Sequence, residues 1–211
     1  MRSFDERLDE ELERCPRPVE ADEAKHPWLT ILLDTYHVLT AGTALAIREE
    51  SAKRRQKVGC GPGCAGCCMR PEVPVSQLEI LGMWWYVMEK LTPEAGERLK
   101  ERLINRSGGI ECPFLMDTRC VIYPLRPLAC RFLHVFGTPC RPEEIPVQDR
   151  PEDVWLSREA AGRAIFTMLE FFGFNTVEER LKAMDDGYLA TVSSLMSEFP
   201  WENLARAKKK E

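Results

Sequence analysis

Cysteines are the residues of this chain most able to do chemistry, and seven of them are grouped in two short stretches. The first stretch carries four cysteines and the second carries three, namely Cys60, Cys64, Cys67, Cys68, Cys112, Cys120 and Cys130. A thiolate is a strong ligand for zinc, copper(I) and iron–sulfur clusters. This density of thiols favours a metal site, and the less favoured alternative is a set of inert, buried cysteines.

The spacing of these cysteines constrains the kind of site. Two sulfurs spaced as in Cys64-x2-Cys67 can chelate one ion from a single turn. The adjacent side chains of Cys67 and Cys68 project in different directions. The pair therefore favours two neighbouring metals, a cluster, or one ligand with a second thiol beside it. The remaining ligands must come from the second stretch, far along the chain.

The two stretches also contain short signatures around the cysteines. They are Cys60-x3-Cys64-Ala65-Gly66-Cys67-Cys68, Cys112-Pro113-Phe114-Leu115, Cys120-x-Ile122-Tyr123 and Arg126-Pro127-x2-Cys130-Arg131. This layout resembles the CxxCxxCC cysteine-cluster family, whose members are described as zinc- or iron-chelating proteins. The resemblance spans residues 58–136 and implies a bound metal. The departure from the family pattern is an extra residue between Cys60 and Cys64.

The choice between zinc and an iron–sulfur cluster rests on how the thiols are distributed. Structural zinc sites favour two CxxC knuckles, and this chain has one knuckle and three isolated cysteines. A proline directly after a cysteine, as in Cys112-Pro113, is seen in ferredoxin ligation. We therefore favour an iron–sulfur cluster slightly, with zinc, including a dinuclear zinc site, as the alternative.

Further side chains are candidates around the metal. Cys140 is either an eighth metal ligand or a cysteine that does not bind the metal. His134 follows Cys130 by four residues and would share its face of a helix. That position makes His134 a candidate nitrogen ligand, against the more common role of a packing histidine. Cys15, in the polar N-terminal stretch, is expected to be a spectator.

Arg126, Arg131 and Tyr123 are expected to lie just outside the ligands. Several thiolates around a divalent ion or cluster leave net negative charge, which an arginine would compensate. The alternative is an ordinary surface arginine or an ion pair with Glu79 or Asp117.

Composition limits the broad class of protein. The chain has 211 residues, 44% of them hydrophobic, and a formal net charge of −5. Enough apolar residues exist for a core, and the negative charge argues against a nucleic-acid-binding surface. We expect no membrane span and no secretory signal, and hence a cytoplasmic protein whose thiols stay reduced. The sequence leaves a protein partner open.

Hydrophobic periodicity predicts a mostly α, helical single domain with little β-structure. We expect a polar segment over 1–26, a helical metal-binding domain over 27–200 with its cysteine core at 58–140, and a basic tail over 201–211. The predicted helices run from Phe4, from Pro27 to about Lys57, from Ser76, from Thr92, over 152–172 and over 176–199. A short strand is expected near 121–123 and a short helix over 128–135. The two irregular, cysteine-rich segments should converge between helices on the metal.

The function predicted from the sequence is metal binding through the cysteine cluster. The site would be structural, or would serve metal handling or electron transfer. Two alternatives are an iron–sulfur-dependent enzyme of unknown substrate and a zinc-stabilised interaction module. The chain has no Ser/His/Asp order, P-loop or dinucleotide loop, so whether it is an enzyme stays open.

Overall fold

α-Helices dominate the structure, which confirms the mostly α fold class. This computed structural model describes residues 2–17, 19–61, 63–69, 72–106, 111–141 and 144–207. The helices found in those residues are α1 (Phe4–Arg14), α2 (Pro27–Arg54), α3 (Gln77–Glu89), α4 (Pro93–Ile104), α5 (Leu128–Phe132), α6 (Pro146–Asp149), α7 (Arg158–Met168), α8 (Val177–Asp185), α9 (Tyr188–Thr191) and α10 (Trp201–Arg206).

Six short strands form three antiparallel pairs within the described residues. They are β1 (Pro74–Ser76) with β6 (Ser193–Leu195), β2 (Leu115–Met116) with β3 (Arg119–Cys120), and β4 (Leu133–Val135) with β5 (Val154–Leu156). The first and third pairs join residues far apart in the chain, Val75 opposite Ser194 and His134 opposite Trp155. The strands therefore fasten loops to the helical body.

Helix α2 is the centre of the first hydrophobic core. Its buried side chains contact α1, α3, α5 and α7, and the closest neighbour is α7. Gly42 permits this approach, because a Cβ there would lie 2.8 Å from the Cβ of Ala160. By length and composition α2 could also cross a membrane, but Leu29, Leu32 and Leu39 lie in the core of this fold.

A second core lies on the other side of α3 and includes α4, α10 and the β2–β3 hairpin. Phe114 is fully buried and Trp201 is 1% exposed, and their rings meet edge to face at 4.7 Å. Leu99 and Leu103 of α4 complete this core. Because α3 contributes to both cores, it holds the two halves together.

Polar caps start several helices where the sequence predicted them. Ser76 accepts a hydrogen bond from the Glu79 N–H, and the Glu79 carboxylate accepts one from the Ser76 N–H. Thr176 and Glu179 form the same reciprocal arrangement, and Thr92 caps α4. Each cap satisfies backbone donors that the first helical turn leaves unpaired.

Two predicted helix boundaries are wrong because tertiary strand pairing overrides local periodicity. Helix α2 ends at Arg54, with Arg55 left-handed at φ 56°, rather than running to about Lys57. The residues after it instead pair with a distant segment, through a bridge between Val58 and Phe136. In the same way, the first residues of the helix predicted over 152–172 form strand β5, so that α7 begins at Arg158.

The remaining differences concern short elements. The strand expected near 121–123 is a 3₁₀ turn over Tyr123–Leu125, while the adjacent residues 119–120 form β3. The helix predicted over 128–135 stops at Phe132, because the next residues pair with β5. The last predicted helix ends at Asp185, and Gly187 turns the chain at φ 66°.

The chain ends pack on the helical body where they are described. Helix α1 buries Phe4 and Leu8 against α2. Helix α10 packs on α4 and buries Trp201 and Ala205. The predicted division into 1–26, 27–200 and 201–211 stays a prediction.

Candidate metal centre

The first four cysteines lie on a loop that bends through consecutive tight turns. Backbone hydrogen bonds join the Cys64 N–H to the Gly61 carbonyl at 3.0 Å and the Cys68 N–H to the Ala65 carbonyl at 2.9 Å. Gly63 has φ 81°, a conformation that glycine adopts without strain. The glycines of this loop therefore allow four thiols to lie within a very short length of chain.

Backbone contacts attach this loop to the segment that carries the later cysteines. The Gly59 N–H donates to the Val135 carbonyl at 2.7 Å, and the Gly137 N–H donates to the Lys57 carbonyl at 2.8 Å. The Val135 N–H in turn donates to the sulfur of Cys60 at 3.3 Å. The start of the loop is thus fixed on the segment that follows Cys130.

A second contact lies at the end of the loop. The Cys112 N–H donates to the Cys68 carbonyl at 2.7 Å. The Cys112 thiol itself donates to the Met196 sulfur at 3.5 Å. The backbones of the two cysteine-bearing segments are therefore in direct contact at Cys68 and Cys112.

Packing in the second core positions Cys112 and Cys120. Cys112 is buried beside Phe114, and the hairpin places Cys120 opposite Leu115. The Val121 N–H closes this turn on the Phe114 carbonyl at 3.0 Å.

Helix α5 positions Cys130 against the first core. Its first N–H, that of Leu128, donates to the buried Glu79 carboxylate at 2.7 Å. Burial raises the pKa of the Cys130 thiol well above its ordinary value, and charge on Cys67, Cys68 and Cys120 raises it further. Cys130 thus lies within electrostatic reach of thiols from both segments.

Neighbouring thiols raise the pKa values of the adjacent Cys67 and Cys68 thiols. A hydrogen bond to Cys68 is the largest cause that raises the pKa of Cys67, and burial of its sulfur adds to it although the residue as a whole is exposed. A hydrogen bond to Cys112 is the largest cause that raises the pKa of Cys68 to about 12.

Cys60, Cys64 and Cys140 are a second group of thiols whose charges act on one another. Burial raises the pKa of Cys140 to about 12, and charge on Cys64, Cys60 and Cys67 contributes. Cys140 also lies close to the loop backbone, since a Cβ on Gly66 would be 2.6 Å from the Cys140 Cβ. The structure therefore brings Cys140, which sequence reasoning left undecided, to the first thiol loop.

The two arginines around Cys130 differ in what they contact. The charge of Arg126 lowers the pKa of Cys60, Cys67, Cys120 and Cys130, and its guanidinium stacks over the exposed Tyr123 ring at 3.9 Å. Arg126 is therefore the cation that faces thiols of both segments.

Arg131 points the other way, into the protein. Its Nε donates to the Arg126 carbonyl at 2.7 Å and another of its nitrogens to the Pro124 carbonyl. Burial lowers the pKa of Arg131. Its contacts hold the backbone between Cys120 and Cys130, although its charge also reaches both sulfurs.

The other candidates are less closely connected to the thiols. His134 lies on β4 rather than on a helix with Cys130, and its ring lies 6.3 Å from the Trp155 ring. Its Nδ1 is buried without a hydrogen bond among the described residues, and burial lowers its pKa. Cys15 is an exposed free thiol at the end of α1. Asp117, an alternative partner for the arginines, instead pairs with Arg98 at 3.1 Å.

Two residues near Cys130 have no place in the sequence-based site. Glu79 is 2% exposed and joins the starts of α3 and α5. Tyr36 of α2 is 4% exposed, and Arg131 stacks over its ring at 4.2 Å. Sequence reasoning considered Glu79 only as an ion-pair partner of Arg126 or Arg131, and not as the acceptor at the start of α5. Nothing in the sequence marked Tyr36.

The donor set fits a thiophilic metal in its chemistry. All nine cysteines are free thiols, and eight of them fall into the two groups around Cys67. Soft sulfur ligands of this kind select zinc, copper(I) or iron–sulfur clusters. Among the described residues, however, no three His, Cys, Asp or Glu side chains are arranged as a set that could hold a metal ion.

One comparison with known proteins produced a match. Residues 59–152 match the family model CxxCxxCC, described as a putative zinc- or iron-chelating domain. This match confirms the resemblance that the sequence signatures indicated, and it extends beyond Cys140. No curated protein and no solved structure matches the chain.

Proposed function

We propose, on the premise that residues 59–152 match a zinc- or iron-chelating domain, that this protein binds metal through thiolates of two remote segments. The observation that carries the proposal is the contact between Cys68 and Cys112. The Cys112 N–H donates a hydrogen bond of 2.7 Å to the Cys68 carbonyl, and the Cys112 thiol is the largest cause that raises the pKa of the Cys68 thiol. The two stretches therefore meet at these residues, and a thiophilic cation would replace the protons of their thiols.

The proposed ligands fall into two groups with Cys67 between them. One group contains Cys60, Cys64 and Cys140, and the other contains Cys68, Cys112, Cys120 and Cys130. Charge on Cys67 acts on Cys60, Cys120, Cys130 and Cys140, so it stands between the groups. Adjacent Cys67 and Cys68 therefore suit a cluster or a pair of metals better than one isolated ion.

An iron–sulfur cluster is the occupant we favour, and zinc is the alternative. Cys68, Cys112 and Cys120 lie in or against the second hydrophobic core, beside the fully buried Phe114. Such an apolar surrounding limits access of water, which is one of the factors that tune a cluster. When bound, a cluster supplies one-electron chemistry, whereas zinc supplies a structural cross-link.

Arg126 and Arg131 would support the centre in different ways. Four thiolates on a divalent ion leave a charge of −2, which the guanidinium of Arg126 partly offsets from its position facing both groups. Arg131 holds the carbonyls of Pro124 and Arg126 and so shapes the chain between Cys120 and Cys130. Tyr123 restrains Arg126 by stacking.

The consequence of binding would be to tie two loops together, so that part of the folding free energy is metal-binding free energy. The site is then structural, or serves metal handling or electron transfer. A reducing compartment such as the cytoplasm suits nine free thiols.

No observation favours the enzyme or the interaction module. The cavity nearest to Cys140 has a volume of about 740 Å³. Its charged side chains pair with one another, since Arg150 bonds Glu144 at 2.6 Å and Asp153 at 3.1 Å. This cavity therefore defines no substrate class.

Anaerobic purification followed by analysis of iron, zinc and acid-labile sulfide tests the proposal. We expect metal bound to the wild-type chain, with sulfide if the occupant is an iron–sulfur cluster and without it if zinc is bound. Cys68→Ser and Cys112→Ser should lose most of the metal. Cys15→Ser is the matched control and should keep it. A wild-type chain that binds none of these metals after anaerobic reconstitution would overturn the proposal.

A further inference from the structure

The hydroxyl of Tyr36 is enclosed by protein and has no hydrogen-bond partner among the described residues. Tyr36 lies in the middle of α2, outside the segment that matches the family, and is 4% exposed. A buried hydroxyl without a hydrogen-bond partner is destabilising relative to one that is hydrogen-bonded. Such an arrangement calls for an explanation, and helix α5, which carries Cys130, packs directly on α2.

The neighbours of the hydroxyl leave few acceptors for its proton. Glu79, Arg131 and Cys130 are the groups whose charges act on Tyr36. Arg131 stacks on the ring at 4.2 Å, and a guanidinium has no acceptor.

Glu79 is already engaged by other donors. Its carboxylate accepts from the Leu128 N–H at 2.7 Å and from the Ser76 N–H and hydroxyl at 2.8 Å each. The sulfur of Cys130, on the helix α5 that packs against α2, is the acceptor whose charge changes on metal binding. A metal-bound thiolate accepts hydrogen bonds more strongly than a neutral thiol, because it carries negative charge.

We propose that the Tyr36 hydroxyl donates a hydrogen bond to the Cys130 sulfur when that sulfur binds metal, which makes Tyr36 a positioning residue of the centre. This inference rests on the proposed function and adds to it a residue from outside the matched domain. The hydroxyl is unsatisfied in the metal-free chain and becomes satisfied on binding. Metal binding thus gains a contribution from the core helix α2.

Tyr36→Phe tests the inference because it removes one oxygen and keeps the ring on which Arg131 stacks. Without metal, the variant should be as stable as the wild type or more stable, since a buried unpaired hydroxyl is lost. With metal, it should bind about tenfold more weakly, the lower end of the effect of residues that support metal ligands. A purely structural role for the hydroxyl would not raise the stability of the metal-free chain and at the same time lower the metal affinity.

The measurement uses Co²⁺ and Zn²⁺ added to the reduced, metal-free chain. The sulfur-to-cobalt charge-transfer band reports the thiolates, and competition with a chelator gives the affinity. Urea unfolding of the metal-free protein gives its stability. Tyr188→Phe is the matched control, because Tyr188 packs with Phe172 and Phe174 away from the thiols and should change neither quantity.

A double-mutant cycle with Cys130→Ser identifies the acceptor. If the hydroxyl bonds the Cys130 sulfur, Tyr36→Phe should have no further effect on metal affinity in the Cys130→Ser chain. A full effect in that background, or equal Co²⁺ and Zn²⁺ affinities for the wild type and Tyr36→Phe, would overturn the inference while leaving the proposed function intact. A wild-type chain that binds neither these ions nor iron would instead refute the proposed function.

Discussion

The two cysteine-bearing segments are held in the fold by different means. Of the described residues over 60–68, only Gly66 is buried, and the loop is attached through backbone contacts near its two ends. The segment over 112–131 instead buries large apolar side chains in both cores, namely Phe114, Ile122, Leu125 and Leu128. One segment is fixed by packing, and the other by backbone hydrogen bonds near its ends.

This difference assigns separate roles to the core and to the metal. Burial of apolar side chains stabilises the second segment whether or not metal is present. The first loop has little apolar surface to bury, so its order comes from hydrogen bonds and, under the proposed function, from ligation. The second segment would then act as a preformed half-site onto which the first loop closes.

Removal of the metal should produce the largest effect and separate the two segments. After metal removal, we expect the backbone amides over 60–68 to exchange with solvent at least about tenfold faster. The reason is that ligation of the thiols no longer opposes local opening of this loop. Amides over 112–131 should change much less. Hydrogen-exchange mass spectrometry measures both regions in one experiment. Equal loosening of the two segments would contradict the comparison.

Phe114→Ala should destabilise the chain by about 3–5 kcal/mol, since it empties a fully buried site beside Trp201. The loss should be similar with and without metal if packing alone fixes this segment. Urea unfolding of both forms provides the values. Val147→Ala, at an exposed position, is the control and should change little. A loss seen only in the metal-bound form would mean that the metal, not the core, orders this segment.

Glu79→Ala should cost about 1–3 kcal/mol, because the Leu128 N–H and the Ser76 donors lose a buried acceptor. The start of α5, and with it Cys130, should become less ordered. The Leu128 amide should therefore exchange with solvent faster. Thermal unfolding and amide exchange measure the two effects. Glu101→Ala, on the exposed face of α4, should leave both unchanged.

Low pH should destabilise a region that is remote from both segments. This region serves as a reference for them. A paired hydrogen bond from Arg17, at 2.8 Å to each oxygen, is the largest cause that lowers the pKa of Glu23 to about 2. Because this folded pKa lies below the ordinary value of 4.5, the stabilisation is complete above pH 4.5 and is lost as pH falls towards 2.

Glu23→Gln should therefore cost roughly 1 kcal/mol at pH 7 and progressively less below pH 4.5. Urea unfolding of the metal-free chain across this pH range measures the difference from wild type. Glu13→Gln, at an exposed position, is the control. A difference that stays constant down to pH 2 would show that the ion pair is not its source.

Thr118→Gly should give the smallest effect, a gain of about 0.5 kcal/mol. Asp117 and Thr118 form the two-residue turn of the β2–β3 hairpin, with φ of 48° and 60°. Glycine adopts this conformation more easily than a β-branched residue. Asp117→Gly should give no gain, because aspartate tolerates the same region and Asp117 also pairs with Arg98. Thermal unfolding of both variants measures the two effects. A loss of stability in Thr118→Gly would contradict the prediction.

Local signals predicted the helix starts well and the helix ends poorly. The capping residues Ser76, Thr92 and Thr176 each mark an observed start, because a cap involves groups three residues apart. The end of α2 and the start of α7 were displaced by pairing between residues far apart in sequence. Such pairing leaves no local periodicity from which to predict it.

The sequence by itself determined the chemistry of this protein. Thiol number, spacing and signature residues indicated a metal-chelating domain, because ligand identity and short chelating loops are local properties of the chain. Only the tertiary structure decided which thiols meet. It brought Cys68 to Cys112, placed Cys140 next to Gly66, stacked Arg126 on Tyr123 and Arg131 on Tyr36, and joined Glu79 to the start of α5. Those contacts depend on how two hydrophobic cores pack around α3, a property of the whole fold.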